Sequence, residues 1–217
     1  MLLNKTAKQK INILEVKKAI YYARKYHGSQ LRQSGEPYYS HPLEVAYKVA
    51  DHWFTTDVLV ASVLHDTIED TMLSKEMIDY IFGSVIASKV ESLTRIKIDQ
   101  KISAAEMVDL LYIQKKNDLL VIKLFDRIHN MQTLAVKSPD KIRKTAEETV
   151  KKFISLSMYL STIIPNIKTD RKIINLCYKN LPSRKEMLMG LDINLNDNFQ
   201  LPFPVFQNAE FQILIQQ

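Results

Sequence analysis

Residues 58–71 read VLVASVLHDTIEDT, and they join an apolar helical run to a sudden cluster of ionisable side chains. The spacing of the apolar residues predicts a helix whose inner stripe packs into a core. The ionisable residues that follow, where this stripe should continue, are His65, Asp66, Glu69 and Asp70. Since positions four residues apart share one side of a helix, we expect a polar site at the end of a buried helix. A solvated acidic helix end is the alternative.

A second apolar run is broken in the same way at Asp126. The run covers residues 119–125 (LLVIKLF), and Asn130 and Thr133 follow Asp126 at i+4 and i+7, on the same predicted helix face. A carboxylate that leaves a buried helix needs a partner, either an arginine or a metal ion. A structural, salt-bridged aspartate is the alternative interpretation.

His41 lies between a turn-rich loop, residues 28–37, and Pro42 at a predicted helix start. Together with the residues above it predicts a metal site of two histidines and two carboxylates: His41, His65, Asp66 and Asp126. Such a ligand set suits Mn²⁺, Fe²⁺ or Zn²⁺ better than Mg²⁺ or Ca²⁺. The remaining histidines are interpreted as structural or surface residues, because nothing in the sequence places them with the acids: His27, His52 and His129.

Composition excludes several other kinds of site. The chain has four glycines, no two closer than seven residues, so neither a dinucleotide-binding GxGxxG turn nor a P-loop is present. The single cysteine, Cys177, excludes an intramolecular disulfide and any multi-cysteine zinc site.

The formal net charge of +6 permits an anionic partner, but the lysines and arginines are scattered along the chain. We therefore expect no nucleic-acid partner. No apolar run approaches the roughly 18 residues of a membrane span, and the start, MLLNKTAKQK, does not resemble a signal peptide. We expect no membrane partner and a cytoplasmic protein; the sequence leaves the oligomeric state open.

Helical periodicity extends through most of the chain, and no alternating period-2 segment stands out. The fold class predicted is all-α. Predicted helices cover residues 11–27, 42–52, 55 or 56 to beyond 68, 74–82, 84–93, 103–115, 117–136, 139–163 and 170–179. Residues 181–217 lack a clear period, and their four phenylalanines are expected to pack this segment onto the body, with a partner-binding segment as the alternative.

Three motifs occur in order: HGSQLRQSGEPYYSHPLEVA, VLVASVLHDTIEDT and VIKLFDRIHNMQTL. They resemble the HD-type hydrolase domain of the RelA/SpoT stringent-response family over residues 7–163. The resemblance implies an HD-domain phosphohydrolase helical bundle. It also implies hydrolysis of the 3′-pyrophosphate of guanosine tetra- or pentaphosphate to GDP or GTP and pyrophosphate, with Mn²⁺ as the usual ion.

The resemblance also implies roles for individual residues. The four predicted ligands match the family's metal ligands, and Glu69 and Asp70 match the acidic pair that activates water. Arg32 matches the loop arginine against the guanine base, and Ser34 in the same loop lines the base pocket. Asn130 and Thr133 match the residues that hold the ribose and phosphate end.

We expect residues 1–165 to form the hydrolase domain and residues 166–217 a C-terminal extension packed on it. No synthetase motif is visible, so the chain looks like a stand-alone alarmone hydrolase without synthesis activity. Two alternatives stay open: the same site acting on another nucleotide or dinucleotide phosphate, and an inactive relative that binds alarmone or a partner.

Overall fold

The computed structural model describes residues 10–97, 100–164 and 166–180 of the 217-residue chain. Its helices are α1 (Ile13–His27), α2 (Ser40–Ala50), α3 (Thr56–Leu64), α4 (Thr67–Asp70), α5 (Lys75–Phe82), α6 (Ser84–Leu93), α7 (Ala104–Ile113), α8 (Asn117–Gln132), α9 (Pro139–Glu148), α10 (Ile154–Ile163) and α11 (Asp170–Asn180). The all-α fold class is confirmed. In these ranges no helix has both the length and the apolar character needed to cross a bilayer.

The strands in the described ranges are β1 (Ile96–Lys97) and β2 (Gln100–Lys101), which pair antiparallel. These strands were not predicted, because two residues are too few to show a period of two. This short ladder follows α6 and precedes α7, whose N-terminus carries the predicted capping box of Ser103 and Glu106.

The chain divides into two compact units, Met1–His129 and Asn130–Gln217. At the centre of the first, α3 contacts α1, α2 and α6. All of residues 58–64 are buried. A helix that is covered on every side needs no polar face, which explains why this run is apolar almost throughout.

The expectation that one helical segment continues through His65 and Asp66 was wrong. Helix α3 ends at Leu64, and α4 begins at Thr67. The His65 ring lies 2.8 Å (Nδ1) from the Ser62 carbonyl oxygen, and the Thr67 hydroxyl donates to the Leu64 carbonyl at 2.7 Å. Side chains that bond to nearby backbone groups in this way compete with the helix. His65 and Asp66 keep right-handed helical backbone angles, so the break is a local interruption between α3 and α4.

The second unit contains a 3₁₀ turn (Leu134–Val136), α9, a π-helical turn (Thr149–Phe153), α10 and α11. The single helix predicted over residues 139–163 is therefore continuous but carries a π turn, and α11 matches its predicted range closely. Pro139 stands in the first turn of α9, as expected for a residue without an N–H. Residues 181–217, with their predicted packing through Phe199, Phe203, Phe206 and Phe211, lie outside the described residues.

Lys89 of α6 links two other helices of the first unit. Its ammonium pairs with Asp118 in the first turn of α8 and lies 3.2 Å from Asp57 Oδ2 in α3. We expect Lys89→Met to lower the free energy of unfolding by about 1–3 kcal/mol, because two partly buried carboxylates lose their cation. Urea denaturation measures this. Lys75→Met, which removes a more exposed pair with Glu91, is the control and should change little.

The same substitution should show a pH dependence. Burial raises the pKa of Asp57, but the nearby Thr55 hydroxyl and the charge of Lys89 lower it below its ordinary 3.8. A lowered pKa in the folded state stabilises the protein above pH 3.8, and this stabilisation is lost as the pH falls through the folded value. The stability difference between wild type and Lys89→Met should therefore narrow in acid. A constant difference down to pH 2.5 would contradict the role of this pair.

Candidate metal centre

The structure brings the four predicted ligands together. His41 lies in the first turn of α2, His65 and Asp66 lie at the break between α3 and α4, and Asp126 lies in α8. Among the described residues, ligand atoms of His41, His65 and Asp126 lie within 4.8 Å of one another. His41 Nε2 is 3.2 Å from Asp126 Oδ1 and 3.5 Å from Asp66 Oδ2. His65 Nε2 is 3.1 Å from Asp66 Oδ1.

Both carboxylates of this cluster are held ionised. Burial raises the pKa of Asp66, but the neighbouring His65 imidazole lowers it further than burial raises it. Burial likewise raises the pKa of Asp126, whereas the Lys123 ammonium and the neighbouring His41 bring it well below the ordinary value. Ionised carboxylates are the form that binds a cation.

The donor atoms fit a divalent transition metal. His65 is fully buried, and its Nε2 makes no hydrogen bond within the described part of the chain although it lies beside Asp66. Because the Ser62 carbonyl accepts the proton on His65 Nδ1, the Nε2 lone pair of the neutral ring faces carboxylate oxygen. Only a cation or a second proton makes that contact favourable. Two imidazoles and two carboxylates suit Mn²⁺, Fe²⁺ or Zn²⁺.

Lys123 is a member of the site that the sequence interpretation missed. It is only 5% exposed, and its ammonium donates to Asp126 Oδ2 at 2.9 Å. The partner expected for Asp126 was an arginine or a metal; the structure supplies a lysine, which leaves Oδ1 turned toward the histidines. The available signal was a single charged residue within LLVIKLF, three positions before Asp126 on the same helix.

Tyr38 is a second member that was missed. Its hydroxyl donates to Asp70 Oδ2 at 2.7 Å and lies 3.3 Å from Asp66 Oδ2. Burial and the charge of Asp66 raise the pKa of Tyr38, so that it stays a donor. Burial also raises the pKa of Asp70, although the Tyr38 hydrogen bond opposes this. His27 stacks on the Tyr38 ring with centroids 4.7 Å apart.

Glu69 and Asp70, the two predicted catalytic residues, lie in different surroundings. Glu69 Oε1 is 2.8 Å from Arg95 Nη2 and 2.6 Å from Lys101 Nζ. Burial raises the pKa of Glu69, but the hydrogen bonds from Lys101 and Arg95 lower it. Glu69 thus joins α4 to the segment that carries the short β ladder, whereas Asp70 is joined through Tyr38 to Asp66.

His129, interpreted from the sequence as a structural or surface residue, is buried beside His41. Its Nδ1 lies 2.9 Å from His41 Nδ1 and 3.2 Å from Arg32 Nη1. Burial and the neighbouring His41 lower the pKa of His129 to about 3, so this ring is neutral near pH 7. Arg32 is therefore linked through His129 to the Nδ1 side of His41, a predicted metal ligand. Ser34 is exposed in the loop that the Leu31–Pro37 bridge closes.

Asn130 and Thr133 belong to the second unit. Asn130 is in the last turn of α8, and the Thr133 hydroxyl lies 3.4 Å from its carbonyl oxygen. Their predicted role toward a substrate stays a prediction. His52 stacks on Phe125 with centroids 5.1 Å apart, in keeping with its interpretation as a structural residue.

Comparisons with known proteins point to one domain family. The model of the HD domain family matches residues 19–160. The GTP pyrophosphokinase rsh of Brucella ovis is 42% identical over 149 residues, which cover 66% of this chain and 20% of that protein. The guanosine-3′,5′-bis(diphosphate) 3′-pyrophosphohydrolase of Aquifex aeolicus is 38% identical over 146 residues, which cover 66% of this chain and 21% of that protein. The bifunctional (p)ppGpp synthase/hydrolase SpoT of Escherichia coli is 37% identical over 164 residues, which cover 73% of this chain and 23% of that protein.

This chain spans about a fifth of the length of these curated relatives. A solved structure of a metazoan orthologue of SpoT, described as hydrolysing ppGpp, aligns with a TM-score of 0.61 at 22% identity and covers 80% of this chain and 98% of its own. That likeness shows the same fold. The chain therefore belongs to the HD domain family, and its sequence is similar to part of the longer pyrophosphokinase, pyrophosphohydrolase and SpoT proteins named above.

Proposed function

We propose that this chain hydrolyses the 3′-pyrophosphate of guanosine tetra- and pentaphosphate, releasing pyrophosphate and GDP or GTP, with Mn²⁺ as the expected ion. The observation that carries the proposal is the cluster of His41, His65, Asp66 and Asp126 with Asp70 beside it. The names of the Aquifex aeolicus and Escherichia coli relatives support the choice of substrate.

The four clustered side chains would hold the ion through His41 Nε2, His65 Nε2 and oxygens of the two carboxylates. A bound divalent ion supplies Lewis-acid polarisation of a phosphoryl oxygen and makes a nearby water more acidic. Lys123 keeps one oxygen of Asp126 occupied, which leaves the other oriented toward the histidines. The chain itself therefore fixes which carboxylate oxygen is available.

Asp70 is the proposed acceptor of a proton from the attacking water. The Tyr38 hydroxyl fixes the Asp70 carboxylate next to Asp66, and the raised pKa of Asp70 brings its basicity nearer to neutral pH, as general base catalysis requires. The water oxygen bonds to the phosphorus next to the ribose as the bond from that phosphorus to the ribose 3′-oxygen breaks. The electron pair of this bond goes to the 3′-oxygen, which takes up a proton from solvent, while Asp70 holds the proton lost by the water. Glu69 would support this site by holding Arg95 and Lys101 close to it.

The proposed substrate contacts are Arg32 and Ser34 with the guanine base and Asn130 and Thr133 with the ribose and phosphate end. Arg32 contacts His129, and His129 contacts the proposed ligand His41. These contacts support a position for the guanine base near the metal centre. The guanidinium plane is suited to stacking on a nucleobase.

The direct test incubates the purified protein with guanosine tetraphosphate and Mn²⁺, with a chelator-treated control, and separates products by ion-exchange chromatography. Metal-dependent release of GDP and pyrophosphate in equal amounts is the expected result. Release of single phosphate, or turnover only of other nucleotide phosphates in a panel, would replace the proposed substrate. Bound Mn²⁺ and bound alarmone without turnover would identify an inactive relative.

A further inference from the structure

His129 Nδ1 lies within hydrogen-bonding distance of two side chains, on the side of His41 that faces away from Asp66 and Asp126. His41 Nδ1 lies 2.9 Å from it and Arg32 Nη1 lies 3.2 Å from it. His41 and His129 are both buried, at 2% and 9% exposure. Unmatched protons or lone pairs at this place would be costly, since buried polar groups need partners.

The donor and acceptor roles follow from chemistry. A guanidinium nitrogen carries only protons and never accepts, so His129 Nδ1 must be the acceptor for Arg32. The proton of the neutral His129 ring is then on Nε2. Because His129 Nδ1 offers a lone pair, His41 Nδ1 must carry the proton that points to it. In the metal-binding form of the His41 ring, the Nε2 lone pair is thereby directed toward the carboxylates.

We infer that Arg32 and His129 form a relay that fixes the metal-binding tautomer of His41, with His129 as a positioning residue. The two histidine ligands are thus oriented by different means. His65 Nδ1 is fixed by a backbone carbonyl, that of Ser62, whereas His41 Nδ1 is fixed by side chains. Groups that bond the second nitrogen of a histidine ligand set its tautomer and basicity. The inference rests on the proposed metal centre.

The tautomers can be measured without any metal. The chain has five histidines, so two-bond ¹H–¹⁵N spectra of the metal-free protein, labelled with ¹⁵N-histidine, resolve each ring. Substituting each histidine in turn assigns the signals. We expect His129 to be protonated at Nε2 alone and His41 to be protonated at Nδ1. A proton on His129 Nδ1 would overturn the relay.

Binding of Mn²⁺ alone, measured by electron paramagnetic resonance without nucleotide, tests the consequence. His129→Phe removes the acceptor and keeps a ring, so its Mn²⁺ affinity should fall by about 10- to 100-fold. His129→Asn places an amide oxygen where Nδ1 stood and should restore affinity to within a few-fold of wild type. His52→Phe is the control, since His52 stacks on Phe125 outside the relay.

Arg32→Met separates the relay from a role confined to base recognition. If Arg32 only contacts a nucleobase, Mn²⁺ affinity without nucleotide stays unchanged, and that result would overturn its part in the relay. The relay predicts a measurable loss of Mn²⁺ affinity in Arg32→Met. If thermal melting shows that His129→Phe does not fold, Arg32→Met provides the test of the relay in its place. A wild-type protein that binds no Mn²⁺ contradicts the metal centre itself, whereas wild-type affinity in His129→Phe contradicts only the relay.

Discussion

Asp126→Asn should bind Mn²⁺ at least about 100-fold more weakly and hydrolyse guanosine tetraphosphate at less than about a thousandth of the wild-type rate. Asp126 Oδ1 lies among the ligand atoms, 3.2 Å from His41 Nε2, and the amide keeps its shape but removes its charge. A metal Lewis acid contributes several kcal/mol to phosphoryl transfer, and each 1.4 kcal/mol is tenfold in rate, which gives about three decades. Electron paramagnetic resonance and product chromatography measure the two losses.

Stability must be separated from metal binding in this experiment. Lys123 is almost fully buried and donates to Asp126, so the single variant leaves an ammonium without its anion, at a cost of about 3–5 kcal/mol. The double variant Asp126→Asn with Lys123→Met removes both charges and should regain stability while still failing to bind Mn²⁺. Asp51→Asn, the same change at an exposed position, should alter neither property. A folded double variant with wild-type Mn²⁺ affinity would exclude Asp126 as a ligand.

The parts of the fold that depend on local sequence were predictable. Periodicity, caps and stop residues located the helices to within a few residues, and Gly83 separates α5 from α6 as expected because its positive φ of 85° suits glycine. The break after Leu64 was not predicted. It depends on where the His65 and Thr67 side chains find backbone acceptors, and a hydrophobic pattern carries no information about such bonds.

The clustering of His41, His65, Asp66 and Asp126 was predictable because each interrupts an apolar run or a helix start, where a polar side chain needs an explanation. Tyr38, Lys123 and His129 gave weaker signals. A tyrosine in a loop, a lysine in a helix and a histidine among five are ordinary residues in a sequence. Their roles follow from which atoms they reach across the fold, with His129 meeting a loop arginine 97 residues earlier in the chain. Such long-range approaches are set by tertiary packing, which residue spacing does not encode.

The different surroundings of Glu69 and Asp70 likewise depend on tertiary structure. As neighbours in the sequence they formed one predicted acidic pair. In the fold, Arg95 and Lys101 bind Glu69. They belong to a segment whose two-residue strands are too short to show an alternating pattern in the sequence. Tyr38 binds Asp70 from the loop before α2. The two carboxylates are therefore expected to differ in function.

Asp70→Asn should lower kcat by about 10²- to 10⁴-fold, the usual contribution of a general base, and leave Mn²⁺ affinity within a few-fold of wild type. The amide preserves the size of the side chain and still accepts the Tyr38 hydrogen bond, but it no longer takes a proton. Glu69→Gln should retain Mn²⁺ and lose at least tenfold less in kcat than Asp70→Asn, because Glu69 is already bound by two cations. Steady-state product chromatography at saturating Mn²⁺ gives kcat for both variants.

Tyr38→Phe is the matched test of how Asp70 is positioned. It removes one oxygen, keeps the ring that stacks on His27, and deletes the 2.7 Å bond to Asp70. A hydrogen bond to a charged group is worth about 1.5–3 kcal/mol, so kcat should fall by about ten- to a hundredfold. In an Asp70→Asn background the same change should cost much less, because the base is already absent. One contradicting result is that Tyr38→Phe costs the same kcat in the wild-type and Asp70→Asn backgrounds, and another is that Asp70→Asn and Glu69→Gln lose equal kcat. Either result would show that Asp70 is not the residue that accepts the proton.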